Sequence, residues 1–165
     1  MRSLIICLVS AISISSMAQP TISTRDIVGK WRCVIHYPLF NLTTVDHTEY
    51  LENGSSVGIG YMDFSREFKY ETKHTGLWVI SDNSLIETSN DYKIIKIHSD
   101  KTMRRLETDT SYAARENLIY LWLKSGYNLP TITQFDIKTF TENKFEFLHV
   151  LENKHFKGVC EKQDK

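Results

Sequence analysis

"DIVGKWRCVIHY", residues 26–37, decides how the rest of the chain is read. It opens with a polar residue and a glycine, reaches Trp31, and then alternates as a half-buried strand does. Pro38 ends the run because proline cannot donate to a ladder. The Gly-x-Trp spelling of Gly29 and Trp31 returns at Gly76 and Trp78. Two copies are too few for a solenoid, so both read as strand starts with a tryptophan facing the core.

Upstream, Arg2 precedes the apolar run "LIICLVSAISI" (4–14), and Ser16-Met17-Ala18 offers the small residues of a cleavage site. Residues 1–18 therefore read as an export signal cut before Gln19. The run is shorter than the about 20 apolar residues of a bilayer-spanning helix, so no integral membrane anchor is expected. The expected location is periplasmic in a bacterium and otherwise secreted. Residues 19–165 form a single domain's length.

Twenty basic and twenty acidic side chains balance to a formal net charge of zero. Net charge would steer no nucleic acid here. Besides Cys7 in the leader, the cysteines are Cys33 and Cys160. In an oxidising compartment a disulfide is the default for such a pair. Closing so long a loop is worth roughly 4–5 kcal/mol in the chain-entropy model.

Downstream of Pro38, "TVDHTEYLENGSSVGIGYMDF" (44–64) is the strongest hairpin signal. Asn53-Gly54 tolerates two successive positive φ angles, with strand-like residues on both sides. Gly58 and Gly60 imply a sharp bend or bulge in the returning strand. "REFKYET" (66–72), "GLWVI" (76–80), "SLIETS" (84–89) and "YKIIKIHS" (92–99) continue the alternation, with a turn at Ser81-Asp82-Asn83. "TITQFDIK" (131–138), "KFEFLHVLE" (144–152) and "KHFKGVC" (154–160) complete it. The total is about eight to ten strands at the spacing of an all-β barrel or sandwich. One segment breaks the rhythm, "DTSYAARENLIYLWLKSG" (109–126). Asp109 or Thr110 can cap a helix there, and Gly126 can stop it. The alternative is a strand over 117–123, because Ile, Tyr and Trp suit pleated surfaces.

Gly29-Lys30-Trp31 opening the first strand of an exported chain of this length resembles the lipocalins. The run through Glu49-Tyr50-Leu51-Glu52-Asn53-Gly54-Ser55 to Gly76-Leu77-Trp78 is similar to bacterial lipocalin-like domains. The resemblance implies a mainly β, up-and-down antiparallel barrel with a cavity and one helix, about 109–125, packed outside. It covers about a third of the chain. The family's Thr-Asp-Tyr loop has its nearest counterpart in Thr48-Glu49-Tyr50. Its late arginine, stacked on the first tryptophan, is missing, since no arginine follows Arg115. Lys138, Lys144, Lys154 and Lys157 are the available substitutes. In such a barrel the first and last strands are neighbours, so a Cys33–Cys160 bridge is geometrically easy.

Chemistry is sparse. The six histidines, His36, His47, His74, His98, His149 and His155, form no local metal-binding pair, so no metal site is expected. No Gly-x-Ser-x-Gly or phosphate loop is present, and Asp63, Glu67 and Glu71 read as solvated singles. No cofactor is implied and no converging titratable cluster is visible, so the chain reads as non-enzymatic. The aromatic residues are the remaining clue. Trp31, Tyr50, Tyr61, Phe68, Tyr70, Trp78, Phe135 and Phe147 are the candidate cavity lining. The leading expectation is an exported carrier of a small apolar ligand. The alternative is a filled barrel that binds a protein, for example an enzyme inhibitor, through an apolar patch at Pro38-Leu39-Phe40.

Overall fold

A computed structural model describes residues 21–126, 130–151 and 153–164. The expected leader, residues 1–18, lies outside the described residues. Eight described strands close into one antiparallel barrel: β1 Gly29–Tyr37, β2 Leu42–Tyr50, β3 Ser55–Phe64, β4 Phe68–Ser81, β5 Ser84–Lys96, β6 Thr131–Thr141, β7 Lys144–Leu151 and β8 Lys154–Lys162. Each strand pairs with the next. β8 returns to β1 with Cys33 opposite Cys160. These two cysteines are bonded, their Cα atoms 4.0 Å apart.

The count is eight because two pairs of expected segments merge. Residues 66–72 and 76–80 belong to β4, which runs through Gly76 without a break. Residues 84–89 and 92–96 belong to β5. There the register with β4 shifts between Thr75 and Gly76, leaving Asn90 as the extra residue of a bulge. The hairpin at 51–54 also differs from expectation. Gly54 alone has a positive φ, 80°, and Asn53 instead accepts the Ser55 N–H through Oδ1 at 3.0 Å. Two successive positive φ angles occur instead at Ser65-Arg66, joining β3 to β4, and at Asp82-Asn83, joining β4 to β5.

The expected single helix is two. After a short N-terminal helix, α1 Thr24–Ile27, come α2 Asp100–Thr108 and α3 Thr110–Gly126. Residues 117–123 are helical, not a strand. Asp109 Oδ1 accepts the Tyr112 N–H at 3.0 Å and caps α3. Its inward face carries Tyr112, Glu116 and Leu123. α2 packs Leu106 against the core and is further held by polar contacts. Ser99 Oγ accepts the Thr102 N–H, and Thr102 Oγ1 donates to the Glu67 carbonyl at 3.1 Å. No described helix is long and apolar enough to cross a membrane.

The interior is layered along the barrel axis. At the hairpin end, Trp31 is fully buried, donates from Nε1 to the Ile27 carbonyl at 2.7 Å, and meets Phe145 edge-on at 4.9 Å. Lys162 Nζ lies 5.3 Å from the Trp31 ring centroid. The late cation over the first tryptophan is thus Lys162, not Lys138, Lys144, Lys154 or Lys157. At the other end α2 and α3 cover the opening. Phe68 packs on Tyr112 at 4.8 Å, and Phe64 and Phe40 pack on Trp122. Between these two aromatic plugs the barrel is less full.

Candidate functional site

The middle layer holds a partly open cavity of about 160 Å³. Its two walls differ in chemistry. β6, β7, β8 and β1 contribute Phe135, Phe145, Phe147, Ile35 and the Cys33–Cys160 disulfide. Phe135 and Phe147 meet edge-on at 4.8 Å. His149 also faces this side. Tyr37 Oη lies 2.8 Å from its Nδ1, and burial lowers its pKa, favouring the neutral ring. The opposite wall, from β2, β4 and β5, carries Asp46, Tyr50, Thr72, His74, Glu87 and Ser89.

Two hydrogen-bonded pairs organise that polar wall. His74 Nε2 lies 3.2 Å from both carboxylate oxygens of Asp46. Burial works against the charged imidazole, but the Asp46 hydrogen bond and charge outweigh it and raise the His74 pKa. Thr48 Oγ1 donates to Asp46 as well, at 3.1 Å. The second pair is Tyr50, whose hydroxyl donates to Glu87 Oε1. Burial pushes the Glu87 carboxyl up to about 7; the Tyr50 hydrogen bond opposes this and the Asp46 charge adds to it. Burial also carries the Tyr50 phenol well above its ordinary value, with Glu87 reinforcing it.

β3 makes room for both pairs. It stays in register with β2 and β4 throughout, so Gly58 and Gly60 mark no bulge, contrary to expectation. Their inward positions are occupied by neighbours' side chains instead. A Cβ on Gly58 would sit 2.3 Å from His74 Nε2, and one on Gly60 would sit 2.4 Å from Thr72 Oγ1. Side chains at those two points would displace the polar wall.

The eight aromatic candidates divide by height. Tyr50, Phe135 and Phe147 line the cavity. Trp31 and Trp78 plug the hairpin end, where Trp78 Nε1 donates to the Ser55 carbonyl at 3.0 Å and its ring meets Tyr50 edge-on. Phe68 and Tyr70 close the helical end, with Tyr70 donating to Glu116 at 2.8 Å. Tyr61 corrects the expectation of an inward ring. It borders the cavity's wall, but its side chain alternates to the outer face, 40% exposed and edge-on to His47. Apolar Val57, Ile59 and Tyr61 alternate outward with inward Ser56, Gly58 and Gly60, which hid which face of β3 was inward.

The polar members were not legible as a site. Asp46, His74 and Glu87 come from three strands and have no shared motif; only the barrel's closure and register bring them together. Asp63, Glu67 and Glu71, the carboxylates visible as singles, lie on outer or turn positions; Glu67 pairs with Arg115. His98 and Glu116 form a further inner pair, at 3.1 Å, beneath the helices. No group of three or more metal-binding side chains occurs among the described residues. The Pro38-Leu39-Phe40 patch is reduced to Pro38 and Leu39, the latter 61% exposed, because Phe40 turns in against Trp122 and Phe156.

No family model matches this sequence, and no curated protein does. Among solved structures it is similar to a redesigned β-barrel, mFAP1, bound to DFHBI. The two share 7% sequence identity and a TM-score of 0.42 over 86% of this chain and 98% of that one.

Proposed function

We propose that this protein is an exported, non-enzymatic binding barrel of lipocalin-like type that holds one compact small molecule. The observation that carries the reading is the cavity of about 160 Å³ between an aromatic wall and a hydrogen-bonding wall. A closed barrel whose middle layer is filled by side chains has no such space. Cavities of about 150 Å³ accept benzene, whereas drug-sized ligands occupy about 300 Å³ or more. The ligand class is therefore ring-sized. The wall chemistry refines the expected apolar ligand to one with an apolar body and a polar end. The Cys33–Cys160 disulfide supports the exported location.

Asp46, His74 and Glu87 converge as catalytic groups can, so the test must separate binding from turnover. His74 presents to the cavity the nitrogen that Asp46 already holds, which favours a fixed recognition wall. Native mass spectrometry of the protein isolated from its source should show an adduct of on the order of 100 Da, the size such a cavity admits. The released compound should be recovered unchanged after incubation with fresh protein. A bare protein mass, together with no rise in melting temperature from any ring-sized compound, would remove the binding reading. Conversion of the compound would replace it with catalysis.

A further inference from the structure

Inside the cavity, charge is unevenly matched. Asp46 and Glu87 are its two acidic groups, and no lysine or arginine is among its lining residues. Asp46 has His74 as its partner. Glu87 has a phenol, which donates one hydrogen bond to Oε1 and brings no charge. Glu87 Oε2 accepts no hydrogen bond from any described residue. Yet no buried side-chain oxygen is both sealed and unpaired among the described residues, so Oε2 opens onto the cavity that Glu87 lines. Two lysines at the ends of the barrel are committed elsewhere: Lys96 to Glu116 at 2.8 Å, and Lys162 to the Trp31 ring beneath the floor.

Resting on the binding reading above, we propose that the cavity selects a ring-sized monocation, an aryl or cyclic amine, whose ammonium group sits against Glu87 with its ring against Phe135 and Phe147. Three features converge on this chemistry. An anion would face two carboxylates, and the one basic lining group whose charge is favoured, His74, is already held by Asp46. A neutral apolar molecule would leave the Glu87 carboxyl unmatched in a low-dielectric space, where an unpaired polar group is most costly. An ammonium group supplies both the missing donor and the missing charge, and the aromatic wall favours a cation near its ring faces. The titratable groups that line the space with Glu87 are Asp46 and Tyr50 from β2, His74 from β4, Tyr92 from β5, and His149 from β7 across the space. Because Glu87 holds its proton up to about pH 7, an ammonium ligand must displace that proton to pair with the carboxylate.

Three probes of one shape test this: benzylamine, benzyl alcohol and benzoate, titrated calorimetrically into the protein and into a Glu87→Gln variant. Benzylamine should bind at least tenfold more tightly than benzyl alcohol at pH 8, and benzoate should not bind. Glu87→Gln should bring benzylamine down to the level of benzyl alcohol. In the unaltered protein, benzylamine affinity should rise with pH up to about 7 and then level, and that of benzyl alcohol should not. Equal or tighter binding of benzyl alcohol or of benzoate overturns the amine proposal and leaves the cavity reading standing. Binding of none of the three overturns both. Benzylamine affinity unaffected by Glu87→Gln overturns the assignment of the counter-ion.

Discussion

Gly58 and Gly60 matter for what they lack. The Asp46–His74 pair exists because β3 presents no side chains beside it. Gly58→Ala should push the His74 ring off Asp46 and cost about 1–3 kcal/mol, as overpacking of a filled interior does. Gly126→Ala, with open space around the position, should be near neutral, and urea melts of the two variants make the comparison. Glu87 supplies a second prediction at this scale. Its carboxyl is raised from 4.5 to about 7. Between those values the unfolded chain has released the proton and the folded chain still holds it, so stability falls as pH rises. The loss is about 3 kcal/mol across the window. In Glu87→Gln that fall should vanish. The fade from His74 should remain; its raised pKa makes its contribution complete below 6.5 and lost as pH climbs through the folded value. Denaturant midpoints from pH 4 to 8 check both; a Glu87→Gln profile parallel to the parent would contradict this origin. Neither residue was readable beforehand. A glycine in a strand signals a bulge as readily as a recess for a neighbour's side chain, and a glutamate in "SLIETS" carries no sign of facing inward.

At the level of elements, the helical cover over the barrel hangs on Glu116. This buried carboxylate accepts from Lys96, Tyr70 and His98, at 2.8, 2.8 and 3.1 Å. Burial alone would raise its pKa, but these three bonds, Lys96 first, hold it below the ordinary value. Its contribution is therefore present above about pH 4.5 and lost as the pH falls through the folded value. Glu116→Ala should cost about 2–3 kcal/mol, the scale of a hydrogen bond to a charged group. It should also speed hydrogen exchange across α2 and α3 while leaving β1 and β8 protected. Uniform exchange acceleration through the barrel would contradict a separable cover. The same glutamate explains why α3 was legible mainly from its cap and helix formers: a charged residue on the inward face interrupts the apolar period. α2 was illegible for the complementary reason, having only Thr102 fully buried. The strands read well because alternation is local, whereas their lengths did not, since Gly76 and Asn90 look like ends and are a continuation and a bulge.

For the whole molecule, closure is the organising fact. β1 and β8 pair from Trp31–Lys162 to Ile35–Gly158, and the disulfide ties that seam at its middle. Replacing Cys33 and Cys160 together by serine should lower stability by up to about 5 kcal/mol, chiefly by freeing the unfolded chain, read as a fall in urea midpoint. The seam's ladder should keep the barrel closed, with the sharp tryptophan bands of the near-ultraviolet dichroism retained. Closure could be anticipated from alternation, Gly-x-Trp and two distant cysteines, all of which act locally or in pairs. The cavity's polar wall could not, because it is a product of register around the barrel, and one residue of slip in β2, β4 or β5 would turn Asp46, His74 or Glu87 outward. The presence of a ring-sized guest between the two walls is tested most directly by nuclear Overhauser contacts from bound benzylamine to the protein. Contacts to the Met62 methyl, Ile35, Phe135 and Phe147, all inside the barrel, are the predicted result. Contacts confined to outward residues such as Val57 and Ile59, or none at saturating ligand, would contradict it.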